Sequence, residues 1–191
     1  MLKSIMELYE EHNIYLDESR QWGTDKLTKH PYTKCYDKIF EPIRNDPIKM
    51  LEIGVYHGAS LILWSKYFVN GDITGVDIEA RKSFENIKDR VDENKVRIII
   101  ADAYQKEVAD TFSTYDIIMD DGPHSLDSMK SFIELYWSKV NKDGYLIIED
   151  IPDHTWLQIL SDMIKGGNVD VFDYSTEGGA SDSRLLVAKK V

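Results

Sequence analysis

The sequence predicts an α/β fold: a doubly wound sheet of seven strands, mostly parallel, with an antiparallel hairpin at its C-terminal end. From Lys49 onward, short β-branched runs alternate with segments whose apolar residues recur at helical spacing, a pattern typical of parallel βαβ units. Only the loop-like stretch STEGGASDS separates the last two runs. Because that is too short for a crossover helix, these two strands are expected to pair antiparallel.

Each element follows from this alternation. The predicted strands cover residues 49–53, 72–77, 96–101, 115–120, 145–149, 169–174 and 184–189. Helical spacing is clearest over 59–67, 126–140 and 156–165, and a short helix is predicted over 32–43. Another helix is predicted within residues 1–18, where an apolar stripe is formed by Leu2, Ile5, Met6, Leu8 and Tyr9.

The length of 191 residues suits one domain of ordinary size. We expect residues 1–191 to form it, with a helical segment (1–45) covering a site on a core (46–191). The N-terminal stripe could pack on its own domain or make a dimer, and we expect a homo-oligomer.

Composition narrows the classes of partner and location. A net charge of −11 argues against a nucleic-acid track, because such tracks need Lys and Arg to neutralise phosphates, and it favours a small or neutral substrate. Neither a long apolar run nor a leader is visible, so we expect no membrane association. The single cysteine, Cys35, fits a reducing compartment, and we expect a cytoplasmic protein.

The stretch MLEIGVYHGAS reads as a strand, a glycine turn and the start of a helix. Gly54 and Gly58 would let backbone N–H groups approach a polar ligand closely. The spacing is not that of a dinucleotide loop, and Glu52 would repel an anionic ligand. The turn therefore favours a ligand bearing an ammonium or a sulfonium, although a tight turn needing glycine for packing explains it too.

Two further acids follow the next strands. Asp77 ends the second strand, where it could accept both hydroxyls of a ribose, and Asp102 ends the third, within reach of an adenine amino group. Either acid alone could be a helix cap or a solvated loop residue. Together with Glu52 they place a carboxylate at three successive strand ends, which favours a shared nucleoside site.

A second acid group lies in YDIIMDDGPHSLDS and LIIEDI, at the ends of the fourth and fifth strands. Asp121, Glu149 and Asp150 can converge there, and three hard oxygen ligands suit an octahedral magnesium ion. Alternatively, His124 caps the next helix, Asp120 is a buried strand-end residue, and the other acids are solvated.

The order of Glu52, Gly54, Gly58, Asp77 and Asp102 resembles class I S-adenosylmethionine-dependent methyltransferases, which have a Rossmann-like fold. GTDK, IMDDGPH and LIIEDI are similar to the magnesium-dependent sugar O-methyltransferases of macrolide biosynthesis, of the mycinamicin and tylosin type, and to relatives often called cephalosporin hydroxylases. The resemblance implies S-adenosylmethionine and Mg²⁺ as cofactors and a hydroxyl of a sugar or glycoside as the acceptor.

The resemblance also implies roles for individual residues. Asp121, Glu149 and Asp150 would hold the metal, and His124 would be the general base. The residues expected to bind the cofactor are Glu52, Gly54, Gly58, Asp77, Asp102, Asp120 and Lys26, with Lys26 at the methionine carboxylate. The expected substrate contacts are Tyr32, Tyr36 and His154, and His154 is also a second candidate base.

Three other functions compete with this one. A metal-dependent oxygenase or hydrolase could use the same cluster, but non-haem iron usually takes two histidines and a carboxylate, and only His124 and His154 are near in sequence. A non-catalytic binding module could keep the same scaffold. A nicotinamide dehydrogenase is disfavoured by the glycine spacing. The acceptor, whether in a polysaccharide, a nucleotide sugar or a small glycoside, stays open.

Overall fold

The computed structural model describes residues 2–20 and 22–191; Met1 and Gln21, both within the predicted N-terminal segment, lie outside the described residues. The strands are β1 (Lys49–Ile53), β2 (Asp72–Asp77), β3 (Val96–Ile100), β4 (Tyr115–Asp120), β5 (Val140–Ile148), β6 (Gly167–Asp173) and β7 (Arg184–Lys190). The helices are α1 (Ile5–His12), α2 (Thr33–Phe40), α3 (Ala59–Tyr67), α4 (Glu85–Lys88), α5 (Lys106–Ala109), α6 (Leu126–Tyr136) and α7 (Thr155–Met163).

The strands form one sheet in the order β3-β2-β1-β4-β5-β7-β6. The pairs from β3 to β5 are parallel, whereas β7 is antiparallel to both β5 and β6. This confirms the predicted seven-stranded α/β fold with its antiparallel C-terminal strands. Since β1 lies between β2 and β4, the carboxyl ends of these three strands share one edge of the sheet.

The largest errors in the predicted bounds concern one helix and the strand that follows it. The helix predicted over 126–140 ends at Tyr136, a 3₁₀ turn covers Trp137–Lys139, and Val140 already pairs with Tyr115 of β4. The strand therefore begins five residues before the predicted start at 145. Helices were expected in the gaps before and after β3, but α4 and α5 could not be bounded, because four residues are too few to show a helical period.

Both faces of the sheet are buried. Met50 and Leu51, adjacent in β1, belong to different apolar clusters: Met50 packs with Trp64 and its neighbours, and Leu51 packs with Phe132 and its neighbours. Successive strand residues point to opposite faces, so a strand covered on both sides reads as a continuous apolar run. The strands could therefore be predicted from continuous apolar runs, although apolar and polar residues do not alternate along them.

The N-terminal segment packs on the first of these clusters. Ile5, Leu8 and Tyr9 of the predicted stripe are buried, whereas Leu2 and Met6 are about half exposed. Ser4 caps α1 through a capping box with Glu7. None of the helices described for residues 2–20 and 22–191 has the length and apolarity needed to cross a lipid bilayer.

Candidate active site

The glycine turn after β1 is held against the turn after β4. Gly54 has φ +85°, and a Cβ atom at this position would collide with the backbone carbonyl of Asp121. The Asp121 amide donates to the Ile53 carbonyl at 2.8 Å, which fixes the two turns together. Only glycine combines this backbone conformation with so close an approach.

Gly54→Ala is therefore expected to destabilise the fold. The left-handed backbone conformation alone should cost alanine about 1–2 kcal/mol, and the collision of its Cβ atom with Asp121 should increase this loss. The measurement is urea unfolding. Gly178→Ala is the matched control, because Gly178 has φ +91° and a Cβ atom added there would meet nothing within 4 Å. Equal losses of stability in the two variants would contradict the close approach.

Asp77 organises the same turn. Its Oδ2 accepts hydrogen bonds from the amides of Val55 at 3.0 Å and Tyr56 at 2.8 Å. The turn borders a cavity of about 560 Å³, which we call the glycine-turn cavity. Its walls include three of the predicted residues, Gly54, Asp77 and Asp102. Apolar surface from Ile78 and Ala103 lies beside them, as a nucleoside would require.

Three other residues predicted to bind the cofactor do not line this cavity. Gly58 caps α3 with φ +81° and leaves room for the Ile87 side chain, so its role is packing. Glu52 is fully buried and accepts from Ser60 Oγ at 2.8 Å and Trp64 Nε1 at 3.3 Å. Asp120 is buried and accepts from the Tyr104 hydroxyl; burial raises the pKa of Asp120 to about 7.

Lys26 differs most from its predicted place. Its side chain is fully buried, and its ammonium donates to Asp121 Oδ2 at 2.6 Å and to Glu149, with Glu52 Oε1 at 3.7 Å. The ammonium thus lies among three carboxylates rather than at a wall of the glycine-turn cavity. Sequence spacing could not show this, because 95 residues separate Lys26 from Asp121.

The pKa shifts report an excess of buried negative charge. Burial lowers the pKa of Lys26, but the charges of Asp121, Glu149 and Glu52 outweigh it and raise that pKa well above its ordinary value. Burial also raises the pKa of Glu149 well above its usual range and that of Asp150 to about 6. A cluster with more carboxylates than ammonium groups takes up protons or binds a cation.

The candidate cation ligands differ from the predicted trio. Asp121, His124 and Asp150 each offer one ligand atom within 4.8 Å of the others. His124 Nε2 lies 3.8 Å from Asp121 Oδ1 and 4.0 Å from Asp150 Oδ2. Glu149 instead accepts hydrogen bonds from Lys26 and from the Tyr36 hydroxyl. This donor set fits a divalent cation through Asp121 and Asp150, with His124 beside it.

The backbone supports a functional role for this cluster. Tyr56, His124 and Asp150 have φ values of +49°, +54° and +52°, a conformation uncommon in residues other than glycine. Such strained positions concentrate at binding and active sites. Here the three residues surround one crevice.

That crevice contains a second cavity of about 280 Å³, which we call the acid cavity. Its walls include His124 and the carboxylates of Glu18, Asp25, Asp121, Asp150 and Asp182. Tyr56, Asp121 and Gly122 line both cavities, so the two meet at this shared wall.

The predicted substrate contacts lie elsewhere. Tyr32 and Tyr36 are fully buried, and their hydroxyls donate to Asp150 and Glu149, so they orient the acids from behind. The His154 side chain is 76% exposed and lines neither the glycine-turn cavity nor the acid cavity. The two tyrosines are buried because the N-terminal segment packs closely against the strand ends.

Other residues at the site were not assigned from the sequence. Tyr104 and Arg81 line the glycine-turn cavity, and Asp25 and Asp182 line the acid cavity. His30 lies next to Asp25 and Asp150. The GTDK motif was the available signal for Asp25, but nothing in the sequence paired it with His30. Among the described residues, the candidate cation sets do not combine His30 with His124.

The family model of the methyltransferase domain matches residues 51–151, just over half of the chain. The chain belongs to this family. The matched segment of this methyltransferase domain begins within β1 and ends directly after Asp150, so it contains the glycine turn and both acid pairs.

Named relatives of this methyltransferase domain include sugar-directed enzymes. The 8-demethyl-8-alpha-L-rhamnosyl tetracenomycin-C 2'-O-methyltransferase of Streptomyces olivaceus is 31% identical over 70% of this chain and 36% of its own length. The mycinamicin VI 2''-O-methyltransferase of Micromonospora griseorubida is 31% identical over 66% of this chain and 33% of its own. The chain thus spans about a third of the length of each of these two relatives.

A solved structure of the MycE methyltransferase from the mycinamycin biosynthetic pathway, in complex with Mg, SAH and mycinamycin VI, superposes with a TM-score of 0.73. The superposition covers 98% of this chain and 53% of MycE, at 22% sequence identity. The likeness confirms the Rossmann-like fold of the methyltransferase domain.

Proposed function

We propose that this methyltransferase domain is an S-adenosylmethionine-dependent, Mg²⁺-dependent O-methyltransferase that acts on a hydroxyl of a sugar or glycoside. The observation that supports it most is the wall shared by the glycine-turn cavity and the acid cavity. A transfer between two molecules needs the donor and the acceptor in contact, and adjoining cavities provide that proximity. The names of the relatives support the sugar acceptor.

On the donor side, the glycine-turn cavity would bind the nucleoside part of the cofactor. Asp77 holds the glycine turn and faces the cavity, where its carboxylate can accept from ribose hydroxyls. Asp102 and Tyr104, which line the same cavity, would contact the adenine. The Asp121 carboxylate at the shared wall would favour the positive sulfonium, an effect that was predicted from the sequence for Glu52, which does not line this cavity.

On the acceptor side, Asp121 and Asp150 would hold Mg²⁺ and His124 would accept the hydroxyl proton at Nε2. Bound Mg²⁺ lowers the pKa of a hydroxyl that it coordinates. His124 is a third exposed, so a sugar in the acid cavity can reach its imidazole. An imidazole has an ordinary pKa near ~6.5, which suits proton acceptance at neutral pH. Tyr32 and Lys26 orient the acids by hydrogen bonds to Asp150 and Asp121.

Calorimetric titration with S-adenosylhomocysteine, with and without Mg²⁺, tests the donor site, and methyl transfer to neutral glycosides tests the acceptor site. We expect cofactor binding in both titrations and transfer only with the metal. Cofactor binding without transfer to any glycoside would favour the binding module. Turnover with iron and without S-adenosylmethionine would favour the oxygenase.

Asp121→Asn should lower Mg²⁺ affinity by more than about 100-fold. The loss of a metal ligand should weaken binding at least as much as the loss of a residue that hydrogen-bonds to a ligand. Methyl transfer at limiting Mg²⁺ should fall accordingly, while affinity for S-adenosylhomocysteine stays within a few fold. Asp170→Asn, on the exposed surface of β6, is the control. Unchanged metal dependence in Asp121→Asn would refute the metal role of Asp121.

The single-domain organisation, the cytoplasmic location and a homo-oligomeric state remain predictions. Gel filtration of the purified chain tests the last of these.

A further inference from the structure

A second group of possible ligands shares Asp150 with the first and contains His30 in place of His124. Asp25, His30 and Asp150 each offer one atom within 4.8 Å of the others. Asp25 and His30 have no role in the function proposed above, whereas Asp150 is already a proposed Mg²⁺ ligand. Asp25 and Asp150 line the acid cavity, so the group is reached from the same crevice.

His30 carries an unexplained polar atom. The side chain is 1% exposed, yet its Nε2 forms no hydrogen bond and faces two carboxylates, with Asp150 Oδ2 at 3.3 Å and Asp25 Oδ2 at 3.5 Å. A buried nitrogen without a partner is costly. If Nδ1 donates to Ser183 Oγ, 2.8 Å away, the lone pair of Nε2 points at negative charge. A cation between the three atoms removes that conflict.

The distances match those of a coordination sphere. Metal bonds of about 2.1 Å in a tetrahedral arrangement place neighbouring ligand atoms about 3.4 Å apart. The two distances from His30 Nε2, 3.3 and 3.5 Å, bracket this value. The distances from His124 Nε2 to its carboxylates, 3.8 and 4.0 Å, are longer than those from His30 Nε2.

Outer hydrogen bonds hold the ligands in place. Ser183 Oγ fixes the His30 ring through Nδ1, and Tyr32 donates to Asp150 Oδ1 at 2.5 Å, which leaves Oδ2 for a cation. Partners of this kind are characteristic of metal ligands. Asp182, on the wall of the same cavity, has a buried Oδ1 without a hydrogen-bond partner.

Charge balance leaves room for the second cation. Among the described residues of this cluster, Lys26 supplies the one buried ammonium, which lies 3.7 Å or less from Glu52, Asp121 and Glu149, whereas Asp25 and Asp150 lie beside His30. A divalent cation at Asp121 would leave the carboxylate of Asp25 without a buried cation of its own. Lys29 Nζ lies 3.9 Å from Asp25 Oδ2 but is half exposed, so it screens that carboxylate weakly.

We infer that Asp25, His30 and Asp150 form a second metal site, which takes a divalent cation of the Zn²⁺ class and shares Asp150 with the Mg²⁺ site. An imidazole with two carboxylates is a donor set that such borderline cations bind in preference to Mg²⁺. Three protein ligands leave one coordination position open towards the acid cavity, as in zinc sites that bind a further ligand.

Zn²⁺ titration against a chromophoric chelator, with the full chain saturated with Mg²⁺, tests the site. We expect one Zn²⁺ per chain in the wild type. Asp25→Asn and His30→Gln should each weaken its binding by at least about 10–100-fold, the range for disturbed metal sites. His12→Gln, at the end of α1, should bind Zn²⁺ like the wild type. Co²⁺ should give the visible absorption of a four-coordinate ion, lost in His30→Gln.

Three outcomes would overturn the inference: no stoichiometric Zn²⁺ in the wild type, unchanged affinity in His30→Gln, or loss of Zn²⁺ in Asp121→Asn without loss in Asp25→Asn. The first would leave His30 with the two carboxylates as its neighbours and no cation between them. Circular dichroism controls for folding, and Asp25→Asn provides a near-isosteric variant at a partly exposed position. Binding of S-adenosylhomocysteine, measured separately, keeps this test independent of the methyltransferase proposal.

Discussion

Replacing His124 by asparagine is expected to lower the turnover number for methyl transfer by about 10²–10⁴-fold, the usual contribution of a general base. Asparagine is the appropriate replacement because His124 has φ +54°, and asparagine tolerates this left-handed conformation better than most residues. Affinity for S-adenosylhomocysteine should stay within a few fold, since His124 does not line the glycine-turn cavity.

The same variant separates two roles that the geometry allows for His124. Its Nε2 lies near Asp121 and Asp150, so it could ligate the metal as well as accept a proton. If it is the base, Mg²⁺ affinity is kept and the acid limb of the pH–rate profile disappears. If it is a ligand, Mg²⁺ affinity falls and saturating metal restores turnover.

His12→Gln controls for the loss of a histidine outside the crevice, and it should leave turnover unchanged. Wild-type turnover in His124→Asn, with the pH–rate profile intact, would remove His124 from the mechanism. The proton would then have to be accepted by another group or by water.

Lys26→Met should destabilise the fold by about 3–5 kcal/mol, the usual cost of removing one partner from a buried ion pair. The reason is that Lys26 is the ammonium shared by Asp121, Glu149 and Glu52, two of which are fully buried. Methionine keeps the length and apolar character of the side chain, so the loss reports the charge rather than a cavity. Urea unfolding at constant pH measures it.

Lys29→Met is the matched control, because Lys29 is half exposed and its nearest carboxylate is 3.9 Å away. Its stability should change by no more than about 0.5 kcal/mol, as is usual for surface substitutions. Added Mg²⁺ should recover part of the stability lost in Lys26→Met, because a divalent cation can replace the ammonium beside Asp121. Equal stabilities of the two variants would show that the carboxylates do not need Lys26.

Much of the fold could be predicted because its signals are local. The bounds of β1, β2, β4 and α3 agree with those expected from apolar runs and helical spacing. The strand that begins at Val140 could not be bounded this way, because its first half, VNKDG, is polar and pairs with Tyr115 through tertiary contact. Asp77 and Asp102 were found because a parallel sheet places successive strand ends at one edge.

The candidate site was predictable only in part. Asp121 and Asp150 follow strands that are neighbours, so the topology alone brings them together. The hydrogen bonds of Lys26, His30, Tyr32 and Tyr36 to Asp121, Glu149, Asp150 and Ser183 join residues 95 to 153 positions apart in sequence, and no spacing rule reports such pairs.

By itself the sequence determined the α/β architecture, the glycine turn and the pairs of acids at the ends of β4 and β5, since backbone preference and apolar period act over a few residues. Only the tertiary structure decided which cation each carboxylate faces. Packing of the N-terminal segment buries the Lys26 ammonium against Glu149 and sets His30 beside Asp150. Burial strengthens electrostatic interactions, so the placement of a few charges by distant segments controls the chemistry of the site.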